Sequence, residues 1–573
     1  MSDIVNLESV VREENPTDIW NKHIQGAVGK FLKTAVVIDN QPWVRQSTSE
    51  EIIEVDTVEE SGFGDEPSEL ISPDIVPIES IHDLDLRSVS DVFSERGIAC
   101  AFVLPDDLNK NQQEKKNRAL LAAKVSDLVV IDWYLESKDS SLTLQILEDI
   151  ARADTQENGR LRLICIYTGE PLNEAIFNDV KEHLQRGGVS LENMQGVELC
   201  AHSSSTIVVI KNKVATSAKK LPDELIKLFS NFANGLIPSF ALAAVGAIRK
   251  NTHHMLTRFG ASIDSAYISN RLITNPPGDV AELMRELMVA ECDNALGLER
   301  IADEYLEKKT VSLWLDAFSD RLQPVSYDVK SGDENKNITI NREVLDCLLH
   351  HGIGDNDFRN NDGEKIRFPE IKRNKVSEAI SGDIEKSKKA QNEFSRLVAF
   401  RREAYGSTTR LMNPGWFPSL TTGTILKFNE GGNERYLMCF TPACDTLRIQ
   451  GSRPFVFIEG SECRKKYNLV VTNSEGDSVG IYFDKKYPVV KTFHFNPDNE
   501  TQRVRATREV NEFEATKFFL NSVGDIPIKF EWVGEIRYSR ATSEMASLAN
   551  IWMRIGIVDS EYLRLAAKGH FKF

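Results

Sequence analysis

The stretch SDLVVIDWYLES, residues 126–137, ends an apolar run in an aspartate and sets an aromatic directly behind it. Leu128 to Ile131 are all apolar and lie between polar flanks, a pattern that suits a short strand buried on both faces. Asp132 then has two readings. It is a turn residue closing a buried strand, or it is a carboxylate presented for chemistry. The ends of the neighbouring strands decide between them.

The same rhythm recurs on either side. TAVVIDN (34–40), IACAFVL (98–104), LRLICIYTG (161–169) and STIVVIKN (205–212) are further short apolar runs. Helical patterns alternate with them: IHDLDLRSVSDVFSERG, QQEKKNRALLAAKV, LTLQILEDIARA and NEAIFNDVKEHLQRGG. Buried strands alternating with helices predict a parallel sheet covered on both faces, and right-handed crossovers make it a doubly wound α/β domain.

In such a sheet ligands bind outside the carboxyl ends of the strands. Those ends carry Asp39-Asn40, Asp132-Trp133, Thr168-Gly169 and Lys211. Singly, each is ordinary turn or strand-end chemistry, and a lysine there can snorkel off the sheet edge. Together they share a reaction. A carboxylate can accept a phosphoryl group as a nucleophile, with a divalent ion to offset the incoming charge. A hydroxyl and a fixed cation then hold the remaining phosphoryl oxygens.

With these residues in this order, positions 33–215 resemble the receiver domain of two-component response regulators. The resemblance implies a strand order of 2-1-3-4-5 and a histidine kinase as partner. It implies Asp132 as phosphoacceptor, Thr168 as switch hydroxyl and Lys211 as the cation on the phosphoryl group. Mg²⁺ would be held by Asp39, Asn40, Asp132 and the backbone carbonyl of Tyr134. Three positions depart from the family pattern: Asn40 replaces its second acid, Asn212 its proline after the lysine, and Val208 its aromatic. A second reading is therefore a pseudo-receiver scaffold that binds partners without being phosphorylated. The helical and β segments beyond the receiver are similar to those of large receiver proteins in bacterial anti-phage operons of the Detocs type. That likeness implies a phosphate buffer working beside other defence-operon proteins.

Composition narrows the rest. The net charge of -17 over 573 residues disfavours nucleic acid and anionic membranes as partners. The 8 cysteines form no CxxC pair, which suits a reducing cytoplasm without disulfides or a zinc site. MSDIVNLESVVREENP is too acidic for a secretory signal. LIPSFALAAVGAI (236–248) is too short to span a bilayer and predicts a buried helix.

Three domains are expected. Residues 1–215 form the receiver domain, with an acidic insertion at about 45–85 that holds thirteen Asp or Glu between Arg45 and Arg87 and no Lys or Arg. Residues 216–410 read as helical, with NKNITINREVLDCLLHHG as a small helical turn motif. Residues 411–573 read as a mostly antiparallel β module closed by a C-terminal helix. Two lesser candidates remain: His253-His254 as a phosphotransfer pair, and Cys444 with Asp445 and Arg448 at a strand end, with His494 as the nearest histidine. GSRPFVFIEGSECRKKYN and TQRVRATREVNEF carry local positive charge suited to an acidic partner.

Overall fold

The computed structural model describes residues 15–40, 42–43, 84–105, 111–136, 138–156, 160–274, 278–331, 334–353, 370–406, 415–510, 515–523 and 528–552. The expected acidic insertion, apart from its last two residues, lies outside the described residues. The chain divides into two compact units: Met1–Met255 with Cys292–Ala317, and Leu256–Glu291 with Phe318–Phe573. The helical segment expected at 216–410 is therefore divided between them.

The first unit holds the parallel sheet. Strands β1 (Thr34–Ile38), β2 (Ala99–Val103), β3 (Leu128–Ile131), β4 (Arg162–Thr168) and β5 (Thr206–Asn212) run in the order β2-β1-β3-β4-β5. All four neighbouring pairs are parallel. This is the doubly wound order that the resemblance to receiver domains implies. The long span between Thr168 and Lys211 contributes antiparallel strands Cys200–His202 and Glu192–Asn193 beyond β5.

Strand periodicity sorts the core. Val36, Ile38, Val129, Ile131, Ile164, Ile166, Val208 and Ile210 face helices α3 (Gln112–Val125), α4 (Ser141–Gln156) and α5 (Glu174–Arg186). Alternate residues turn to the other face, where α6 (Leu221–Phe229) packs beside α1 (Pro16–Phe31) and α2 (Leu86–Glu95). Helix α7 (Leu236–Lys250) lies against α1, and Ala27, Ala243, Ala247, Ile301 and Tyr305 fill that contact. The small residues let the two helices approach closely: a Cβ on Gly246 would collide with the Lys30 carbonyl. Among the described residues no single helix is long and apolar enough to cross a membrane. The apolar pair Leu221–Ala233 and Leu236–Lys250 is bent by 117°.

The second unit is built on a curled antiparallel sheet with a helix, Tyr538–Trp552, behind its last strand. Lys529–Ile536 pairs with Phe400–Glu403, Thr424–Glu430 and Ala515–Leu520. Both faces are covered. Phe428, Phe455, Phe457, Phe495, Phe530 and Trp532 form one core, and Ile425, Met438, Ile458, Ala541 and Leu548 form the other. NKNITI corrects the expected helical motif: Glu334–Ile340 is a strand paired with Val325–Ser331, and only Arg342–His351 is helical. Its alternating Ile338 and Ile340, both fully buried, follow the strand period of two.

Candidate functional site

Parallel register brings the two aspartates together. Ile38 pairs with Ile131, so the next residue on each strand, Asp39 and Asp132, emerges side by side at the carboxyl edge. The Asp132 amide donates to the Ile38 carbonyl at 2.9 Å, and the Asp39 amide to the Val103 carbonyl at 3.3 Å. From α4, the Thr143 hydroxyl donates to the Asp132 carbonyl at 2.9 Å and pins the start of the following loop. The pair lies where the strand order reverses around β1, the position at which doubly wound sheets open a crevice.

The cation between the two carboxylates is Lys213. Its Nζ lies 2.9 Å from Asp39 Oδ2 and 3.4 Å from Asp132 Oδ1. The Lys213 side chain is only 4% exposed, so the contact is made in a low dielectric where it counts for more than at the surface. The sequence expectation of Lys211 needs correcting here. Lys211 extends on the α6 side of the sheet and its Nζ meets Glu224 Oε2 at 2.5 Å. The turn after β5 explains the difference. Asn212 Oδ1 accepts from the amides of Val214 and Ala215 at 2.9 and 3.0 Å, and the Lys213 amide donates to the Thr168 carbonyl at 2.8 Å. This Asx turn folds Lys213 back over the edge, above the Tyr167 ring at 5.9 Å.

Thr168 is buried at the end of β4, where its hydroxyl accepts from the Glu170 amide at 3.0 Å. Asn212 Nδ2 donates to the Glu170 carbonyl at 2.8 Å, so the ends of β4 and β5 are tied to each other. Tyr134, in the loop that follows β3, is partly buried and packs against the core. Burial pushes the Asp132 carboxyl up to about 7; the Lys213 ammonium opposes this rise and Asp39 adds to it.

The residues suit a magnesium ion. Asn40 Oδ1 is buried and has no hydrogen-bond partner, an orphaned acceptor next to Asp39 that a cation would satisfy. No cluster of three His, Cys, Asp or Glu side chains forms a metal site among the described residues. Two carboxylates and an amide oxygen nonetheless match Mg²⁺, which takes few protein oxygens and keeps its waters.

The lesser candidates lie elsewhere. His253 and His254 sit on the short helix Thr252–Thr257 with ring centroids 3.7 Å apart. Cys444 is exposed on a one-turn segment, Ala443–Thr446, with its Sγ 3.8 Å from Asp445 Oδ1. His494 is in strand Val489–Phe495, opposite Pro454.

Residues 31–218 match the family model described as response receiver domain. Neither the curated proteins nor the solved structures contain a match to the chain. The first unit thus carries a response receiver domain, a signal-receiving module whose general partner is a kinase and which typically binds Mg²⁺.

Proposed function

We propose that this response receiver domain accepts a phosphoryl group from a histidine kinase onto Asp132. The observation that carries the reading is the Lys213 bridge between Asp39 and Asp132 at the switch point of the sheet. An ionised Asp132 oxygen forms the new bond to phosphorus. The phosphorus–nitrogen bond to the kinase histidine breaks, and its electron pair returns to the imidazole. Lys213 holds a positive charge where the transferred oxygens gather, and the Thr168 hydroxyl stands at the end of the next strand to bond one of them. Asp39, Asn40 Oδ1, Asp132 and the Tyr134 carbonyl would hold Mg²⁺, which when bound supplies charge neutralisation at the phosphoryl group.

Phosphotransfer from the cognate kinase with labelled ATP tests this on the full chain. Wild type takes up acid-labile label and Asp132→Asn takes up none. Lys213→Ala slows uptake by about 10²-fold, the scale of losing one transition-state charge contact, while Lys211→Ala leaves it nearly unchanged. Label retained by Asp132→Asn would exclude Asp132 as the acceptor.

Asn40, in place of a second acid, favours one other reading, a pseudo-receiver that recognises partners without phosphorylation. On that reading Asp132→Asn keeps full biological activity, and Mg²⁺ does not promote uptake of beryllofluoride. The wider role we propose, a phosphate buffer in a bacterial anti-phage operon, is supported by the resemblance of the helical and β segments. A genomic neighbourhood without a histidine kinase gene would count against it.

A further inference from the structure

We propose that the second unit has its own ligand site, a cleft that binds a small anion carrying two or more phosphoryl groups. The cleft has a volume of about 640 Å³, within the range of small-molecule sites. Arg285, Arg401, Arg402, Arg503 and Arg505 line it. Among the described residues the lining carboxylates are fewer, Glu286 and Glu535, with Asp498 3.8 Å from Arg505 Nε. A concave excess of positive charge on a chain of net charge -17 is a local feature that the overall composition opposes.

Backbone pairing holds the arginines in place. Leu420 N donates to Val504 O at 2.8 Å and Ala506 N to Pro418 O at 2.9 Å, with Ser419 opposite Arg505. Val504 and Ala506 are buried, so the period of two sends Arg503 and Arg505 together to the other side. Arg402 comes from a second pairing, opposite Glu535 on strand Lys529–Ile536. Its guanidinium lies 4.7 Å from the Trp416 ring centroid, which orients the fork.

Arg401 and Arg402 meet at one carboxylate. Glu535 is shared between Arg401 at 3.3 Å and Arg402 at 3.2 Å, single contacts in place of a two-pronged pair. Guanidiniums arriving from three separate segments converge on the cleft, and phosphoryl oxygens match their planar geometry. Ser419 adds a hydroxyl, Thr421 one already bonded to the Thr446 hydroxyl at 3.1 Å, and Phe417 and Tyr538 add aromatic rings to the lining that a nucleobase can contact. A long nucleic acid fits less well, because the surrounding protein is acidic.

Calorimetry on the full chain, in EDTA so that the receiver site holds no metal, tests the proposal with ATP, tripolyphosphate and a single-stranded oligonucleotide. ATP or tripolyphosphate is expected to bind, and R503A/R505A to weaken binding by at least about tenfold. ATP binding more tightly than tripolyphosphate identifies a nucleotide; equal binding identifies the phosphate chain as the recognised part. For the wild type, raising salt from low to high concentration weakens binding, a measurement independent of how well the variant folds. The proposal fails if neither small anion binds, if only the oligonucleotide binds, or if affinity ignores salt or the double substitution.

Discussion

Asp132 combines burial, a lysine at 3.4 Å and a second carboxyl across the same lysine, and its raised pKa sets a pH dependence. An aspartate ordinarily titrates near 3.8, and here it does so at about 7. Between those values the native state keeps a proton that the unfolded chain has released, so the Asp132 contribution to stability falls as pH rises through that window. Asp132→Asn has no such charge to bury. In EDTA it is expected to be more stable than wild type by about 1–3 kcal/mol at pH 8, with the difference shrinking to near zero at pH 4. Thermal melts across that range measure it; a constant difference would show that Asp132 is not buried as a charge. Lys213 is the residue that sequence reasoning missed. Lys211 and Lys213 are separated by one residue, and strand length alone does not say which leaves the sheet. The available signal was Asn212, a residue that favours Asx turns; the acid that takes up Lys211, Glu224, lies in a helix whose position only packing supplies.

At the level of elements, the apolar runs around SDLVVIDW were legible because a strand buried on both faces must be continuously apolar. The mixed segment 335–352 was not, since six residues of strand lead directly into a helix and the two periods overlap. Helix α7 was legible as a buried helix from LIPSFALAAVGAI, but its partner was not. Its close approach to α1 depends on Gly246, where a side chain would meet the Lys30 carbonyl. Gly246→Ala is therefore expected to destabilise the first unit by about 1–3 kcal/mol despite alanine's better helix propensity. Urea unfolding followed by Trp20 fluorescence would register the loss; an unchanged or higher midpoint would mean that the helices separate at no cost.

On the scale of the whole molecule, the first unit is completed by chain far in sequence from its parallel sheet. Ile301 and Tyr305 are fully buried against α1 and α7, although both lie outside the 31–218 span of the receiver domain. Ile301→Ala is expected to lower the stability of the first unit by about 2–4 kcal/mol, the cost of a large-to-small change in a core. A melting transition that does not move would remove that helix from the core. By itself the sequence determined the alternation of strands and helices and the aspartates at the edge of the sheet, while the strand order was implied only by the resemblance to receiver domains. The alternation follows from local periodicity, and the doubly wound character of the sheet from the fixed handedness of crossovers. Tertiary structure alone decided which lysine meets the aspartates, which helices complete the first unit, and that Arg402, Arg503 and Arg505 line one cleft. Such meetings depend on residues that are distant in the chain and brought together by packing, which no local pattern records.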